Sequence, residues 1–385
     1  MAETAAHLVD HVFPPLPVRQ WVLAVPKRLR TFLQADAALQ GTALRIFLSV
    51  VERCLRVRSP SSPADARIGA VAFIHRFGSS LNEHVHFHCC VIDGVFEPAA
   101  DTNNAPDEAP SFSFHAALGL DAAAFADVQA RVRTRVLSTF VRRGLIDKDD
   151  ATEMRAWAHD GGFSVDGSVR IEGADRIGLE RLLRYCARPP FALEHLHPRD
   201  ADHVIYRNPK PVRTTEQGTR PAALVLTPLE LIGRIAALVP PPRAHRHRYY
   251  GVLAPNAPLR AAVTAQAPGA VPAPASAASR EESRHRTVAR YLWAMLLARI
   301  YEALPLSCPI CHASMRIIAF INDPAAVGKV LDHIGESTGP PRIAPARGPP
   351  LWAAAAAAEQ AKNDPQWDQA AQPGPEIEFD QRIAW

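Results

Sequence analysis

No run of this chain approaches the ~18 apolar residues that a membrane-spanning helix requires, so no transmembrane helix and no membrane partner are expected. Residues 1–30 lack the apolar core and small-residue cleavage site of a signal peptide. The six cysteines include one adjacent pair, Cys89-Cys90, and one CxxC, Cys308 to Cys311. That is not the disulfide framework of a small secreted domain, and a reducing cytoplasm is the expected location. A second CxxC, which would complete a four-cysteine zinc site, is also missing. Acidic excess is missing too. The net charge is +4 and the pI about 8.8, which gives weak support to a polyanionic partner.

What is present begins with length. At 385 residues and 48% hydrophobic, the chain can bury a full core, as one large domain with accessories or as two domains. Its centre is His84-Val85-His86-Phe87-His88-Cys89-Cys90-Val91-Ile92. β-branched and aromatic residues make this a strand, and Asp93-Gly94 marks a turn after it. Alternation puts His84, His86 and His88 on one face, about 7 Å apart in steps of two. Three imidazoles in that array suit a divalent metal better than a core or plain solvent. Ile68 to His75 forms a neighbouring strand, and a hairpin between the two brings His75 within reach of the same face.

Other elements follow in order. Residues 1–13 read as a leader without clear structure. Val18 to Leu23 is a strand, Lys27 opens a helix, and Ala37 to Arg58 is a helix with a basic side. Residues 97–111 read as a loop, Ala122 to Arg143 as a helix, and Gly162 to Ile171 as a short hairpin turning at Asp166-Gly167. Asp175 can cap a helix that ends at Pro189-Pro190. On it Leu179, Leu182, Leu183 and Cys186 form a buried stripe. Tyr185 lies among Arg181, Arg184 and Arg188, an arrangement that could hold a phosphodiester while the phenol attacks it, or could be an ordinary solvated face. Val204 to Tyr206, Ala222 to Leu226 and Tyr249 to Leu253 read as strands, with a helix over Pro228 to Leu238. The run from His245 to Tyr250, with Arg248, could bind single-stranded nucleic acid or be an edge strand. Ala261 to Ser279 reads as an Ala/Pro linker. Thr287 to Leu304 is an apolar helix, after which Cys308 and Cys311 supply half a zinc site that His312 or His333 could complete.

Taken together, these pieces resemble the rolling-circle insertion-sequence transposases of the HUH (His-hydrophobic-His) endonuclease superfamily. The resemblance rests on Leu81 to Phe96 with its histidines, on Arg76-Phe77-Gly78-Ser79, on Arg184 to Pro190 and on Arg248 to Leu253. Cys308 to Cys311, Met315 to Ala319 and Asp323-Pro324-Ala325 extend it. It implies an α+β fold, with a mainly antiparallel sheet carrying the His pair, flanking helices and a small C-terminal CxxC segment. It implies that His86 and His88 hold Mg²⁺ or Mn²⁺, with His84 or His75 as candidate third ligand, and that Zn²⁺ could sit at Cys308 and Cys311. Tyr185 would attack single-stranded DNA at transposon ends and target, leaving a 5′-phosphotyrosine. Arg181, Arg184, Arg188 and Arg248 would contact phosphate. Arg181 stands where two-tyrosine members carry a second tyrosine, so the chain resembles the single-tyrosine branch. The family's N-terminal cysteine-rich zinc region has no counterpart here, so a truncated copy is expected. A replication initiator or relaxase of the same chemistry and a non-catalytic DNA-binding remnant are the alternatives. The expected division is 1–60 as an N-terminal segment, 61–260 catalytic, 261–286 linker, 287–350 helix and CxxC, and 351–385 a mobile tail.

Overall fold

The structure is a computed structural model. It describes residues 2–99 and 111–157 apart from 79, then 161–207 apart from 192. It further describes 214–215, 218–219, 223–240, 245, 247–269, 296, 308, 310–313, 315, 321, 323–335 and 337–338. Its elements open with α1 (Ala2–His11), β1 (Val18–Ala24), α2 (Lys27–Ala35), α3 (Ala37–Arg58), β2 (Gly69–Phe77), β3 (Glu83–Ile92), β4 (Gly94–Pro98) and β5 (Phe112–Ala116). There follow α4 (Ala122–Arg142), α5 (Lys148–Ala156), β6 (Ser164–Asp166), β7 (Arg170–Ile171), α6 (Arg176–Cys186), β8 (Leu196–Pro198) and β9 (Val204–Arg207). The last are β10 (Thr214–Thr215), β11 (Gly218–Thr219), β12 (Ala223–Leu226), α7 (Pro228–Leu238), β13 (His247–Gly251), α8 (Arg260–Ala265) and α9 (Pro324–Ile334).

The main sheet runs β13-β2-β3-β1-β6, with β7 beside β1, and every pairing is antiparallel. The fold is therefore α+β with helices on both faces. Period-two alternation sorts its side chains. Trp21 and Leu23 of β1 and Val85, Phe87, Cys89 and Val91 of β3 are buried with apolar residues of α2, α3 and α4. Val71, Phe73, Cys90 and Ile92 point the other way, into a second core shared with α1 and α6. The helix starts follow capping chemistry. Asp36 accepts from the Ala38 and Leu39 amides at α3, and Thr227 and Glu230 form a reciprocal capping box on α7.

Several sequence expectations change. The expected leader is helix α1, with Ala5, Leu8 and Val9 buried. Arg176 donates to the carbonyl of Val9 in the last turn of that helix and to those of Phe13 (2.8 Å) and Pro14 (3.1 Å) just beyond it, and so ties α1 to the start of α6. β1, on the N-terminal side of residue 60, lies inside the sheet between β3 and β6. The expected 162–171 hairpin is not a hairpin. β6 and β7 both pair with β1, and Gly167, where a Cβ would meet the Phe125 ring at 2.6 Å, lies in the break between them. The expected loop at 97–111 is flanked by paired strands β4 and β5, and residues 100–110 lie outside the described residues. The start of the expected linker is helix α8, with Val263 buried, and the Gly269 amide donates to the Asp10 carbonyl at 2.8 Å. Apart from residue 296, the helix expected over 287–304 lies outside the described residues, as does the 351–385 tail.

Asp93 does more than turn the chain. It is 3% exposed and takes Arg19 through both carboxylate oxygens, at 2.9 Å each, and Arg170 at 2.8 Å. Arg19 also donates to the Gly167 carbonyl at 2.7 Å, so this buried cluster joins β1, β7 and the β3–β4 turn. Removing one partner of such a cluster strands the others in a poor solvent. Asp93→Ala is expected to lower stability by about 3–5 kcal/mol, read as a lower urea midpoint at unchanged slope.

Candidate metal and nucleophile site

Antiparallel register brings the histidines together. His75 of β2 stands opposite His86 of β3, and Phe73 stands opposite His88. Opposite residues in such a pair share a face. His75, His86 and His88 each offer a ring nitrogen, and these nitrogens lie within 4.8 Å of one another. Among the described residues no carboxylate or cysteine joins this group. His84, the other candidate for third ligand, is outside it, although its ring centroid is 4.8 Å from that of His86.

The hydrogen bonds dictate which nitrogens carry protons. His86 Nδ1 is 3.0 Å from the His84 carbonyl, which can only accept, so Nδ1 donates and Nε2 keeps its lone pair. By the same logic His75 Nε2, 2.7 Å from the Cys186 carbonyl, donates and leaves the Nδ1 lone pair for a ligand. His88 Nδ1 lies 2.8 Å from the side-chain amide of Gln20. Its Nε2 is buried with no hydrogen-bond partner. Burial, followed by the neighbouring histidines, holds His86 well below the ordinary imidazole range. Burial, His75 and Arg188 do the same to His88. His86 and His75 thus each turn a lone pair inward, and together with the buried His88 Nε2 they fit a divalent cation. The Gln20 side-chain nitrogen is the atom that faces His88 and also donates to the Cys186 sulfur at 3.4 Å; exchange of the amide oxygen and nitrogen would let the oxygen accept an Nδ1 proton and leave Nε2 for a ligand.

Helix α6 brings the tyrosine to this face. Asp175 caps it, accepting from the Gly178 amide at 2.7 Å, and the expected stripe of Leu179, Leu182, Leu183 and Cys186 is buried. Tyr185 is half-buried, its ring edge-on to His88 with centroids 5.7 Å apart. Arg188 lies over the same ring, 4.2 Å from its centroid. Arg181 is exposed one turn before Tyr185. Arg184 is ion-paired with Glu180 and points its charge there. Arg248 is not part of this group. It stands opposite Ala72, on the α3 face of the sheet, with a guanidinium nitrogen near Gly41. The rival tyrosines hold packing positions. Tyr206 is in a small core with Phe77, Leu81 and Leu238, and Tyr249 lies under Arg260. Burial raises the pKa of both phenols, and of Tyr250. Tyr291 and Tyr301 lie outside the described residues.

Residues 69–260 match the family described as "Putative transposase". That match supports a transposase. The matched segment holds all three histidines and Tyr185, whereas β1 with Gln20 precedes it. No curated protein and no solved structure matches the chain.

Sequence reasoning missed Gln20 and the Cys186 carbonyl. A lone Gln in the apolar strand Val18–Ala24 was the one available sign of the first, and a backbone carbonyl gives none. Cys308 and Cys311 sit on a turn where the His312 amide donates to the Cys308 carbonyl at 2.9 Å. Amide donors from Ile310 and Cys311 lower the Cys308 pKa. No third ligand gathers there among the described residues.

Gln20→Leu is expected to weaken Mn²⁺ binding about 10–100-fold, the usual cost of losing an outer-shell partner. Calorimetric titration reads this, with Gln20→Glu expected to restore much of the affinity. The depressed histidines also set a pH dependence. Their native pKa lies below the unfolded value of 6.5, so the unfolded chain binds more protons as pH falls. Metal-free stability should be full above about pH 6.5 and fall below it. The melting temperature between pH 7.5 and 5 reads this, with a flatter profile expected for His88→Gln.

Proposed function

We propose that this transposase works by HUH chemistry, nicking single-stranded DNA with Tyr185 and passing the strand on in rolling-circle transposition. The observation that supports it is the meeting of two things on one sheet face: a cluster of three imidazoles, with charge disfavoured on His86 and His88, and a helix-borne tyrosine. A divalent cation at His75, His86 and His88, Mg²⁺ or Mn²⁺, would supply Lewis-acid polarisation of the scissile phosphate. The rest is work for the protein's own side chains.

The Tyr185 oxygen attacks phosphorus, and the bond from phosphorus to the 3′ oxygen breaks. The phenolic proton leaves to solvent and the departing 3′ oxygen takes one up. The products are a 5′-phosphotyrosine and a free 3′-OH. Attack by another 3′-OH reverses the same steps and joins the strand to a new end. Arg188, stacked on the ring, places positive charge where the attacking oxygen and the phosphate gather negative charge. Packing of α6 on its leucine stripe holds the phenol in place. Exposed Arg181 offers a guanidinium fork to a neighbouring phosphate.

An end-labelled single-stranded oligonucleotide carrying element ends tests this reading. The native chain should become covalently attached to the 5′ end. Tyr185→Phe keeps the ring packing and should lose the adduct while still binding DNA. His86→Ala and His88→Ala should each slow nicking about 100-fold or more, the equivalent of several kcal/mol of charge stabilisation. An adduct mapping to Tyr249 or Tyr250 would reject Tyr185. DNA binding without any adduct would favour a non-catalytic remnant.

A further inference from the structure

The face of the molecule opposite the histidines carries charge that the proposed chemistry does not use. α3 and α4 cover that face and run antiparallel. Arg58 reaches the Gly119 carbonyl (3.4 Å) at one end, Arg135 reaches the Ser49 hydroxyl (2.6 Å) midway, and Arg143 reaches the Thr42 hydroxyl (3.2 Å) at the other. Each helix has four arginines and a single carboxylate, Glu52 or Asp127. Their joint surplus of six exceeds the +4 of the whole chain, so everything else is net acidic by two.

Neither carboxylate cancels this charge. Glu52 is drawn inward and holds Arg56 and Arg67. Asp127 pairs with Arg131 at 2.7 Å and leaves Arg53, Arg135 and Arg45 exposed along the seam. A groove of about 420 Å³ opens there, lined by Val50, Arg53, Asp127, Arg131, Thr134 and Arg135. Neither helix contains lysine, and guanidinium forks match phosphate oxygens in a way that a point charge does not. The aromatic residues of the two helices are turned inward. Phe47 and Phe140 are buried and Phe125 packs on the core. The groove thus has charge and hydroxyls for a phosphate backbone, and no exposed ring on which an unpaired base could stack.

We propose that the α3–α4 seam binds the sugar-phosphate backbone of duplex DNA without reading its sequence, on the side of the sheet away from the strand that is cut. Arg45 to Arg58 spans roughly 20 Å at 1.5 Å per residue, a reach of about six base pairs at 3.4 Å each. This inference rests on DNA being the substrate, as proposed above, and goes beyond it by assigning a second surface to a different form of that substrate.

The test uses the full chain and a random-sequence 30-base-pair duplex, followed by fluorescence anisotropy between 50 and 200 mM salt. Arg53→Ala/Arg135→Ala should flatten the slope of log K against log salt by about 2, close to one for each phosphate that no longer meets a guanidinium. Weakening should be equal across sequences. The short single-stranded nicking reaction should not change. Arg53→Lys/Arg135→Lys keeps the charge and should keep most of the slope. An unchanged slope in the alanine variant would mark the seam as a solvated helix face and overturn the proposal. Equal flattening in the lysine variant would trace the loss to the fold, and would overturn it too. So would a loss confined to phosphatidylserine vesicles with duplex binding intact. A chain that nicks nothing yet shows the expected change in slope would reject Tyr185 chemistry and leave this surface standing.

Discussion

The register between β2 and β3 is the constraint on which everything else here depends. It sets His75 against His86 and places His88 one pair further along the same face. A slip of one residue would turn every histidine of β3 into the α3–α4 core and push Val85, Phe87 and Val91 outward. Those three side chains are fully buried. Exposing a large apolar side chain costs about 1.5–3 kcal/mol, so the apolar face holds the register that the polar face needs. The chemistry is aligned by residues that take no part in it.

The second constraint is that the imidazoles are crowded together, with charge disfavoured on His86 and His88. A protonated ring between two others would repel its neighbours and lose its hydration. The fold resolves this with acceptors. The His84 and Cys186 carbonyls take ring protons from His86 and His75. The Cys186 carbonyl belongs to the last residue of α6, next to Tyr185. One hydrogen bond therefore ties β2 to the helix that bears the tyrosine. Gln20 adds a third attachment from β1, touching both His88 and the Cys186 sulfur.

Much of this was legible in the sequence. The strand face with His84, His86 and His88, the Ala37 to Arg58 helix and the Asp175 cap all followed from local periodicity and local chemistry. The buried stripe of α6 did as well, because four residues at helical spacing define it without reference to anything distant. What could not be read depends on pairing across long separations. β6 and β7 look like a hairpin by their turn residues, but β1, more than 140 residues earlier, offers each a better partner. Asp93 looks like a turn residue, and only the fold shows two guanidiniums converging on it. His75 and His84 were equal candidates as third ligand because sequence spacing does not report a cross-strand neighbour. Arg248 seemed to belong with Tyr185 by charge, but alternation along β13 sends it to the opposite face.

The separation of Gln20 from Cys186, 166 residues, has a consequence during synthesis. A ribosome adding roughly 5–20 residues per second needs about 8–33 s to pass from one to the other. The β2–β3 hairpin is local and can form long before then, presenting its imidazoles while β1 still has an open edge. Tyr185 follows on α6, whose leucine stripe packs against Phe73 of β2 and Cys90 of β3 and so needs both strands in place. A half-made chain thus presents the histidine face before the tyrosine that will lie beside it. β13, which closes the far edge of the sheet on β2, comes later still, so the histidine face is assembled before the sheet that carries it is finished.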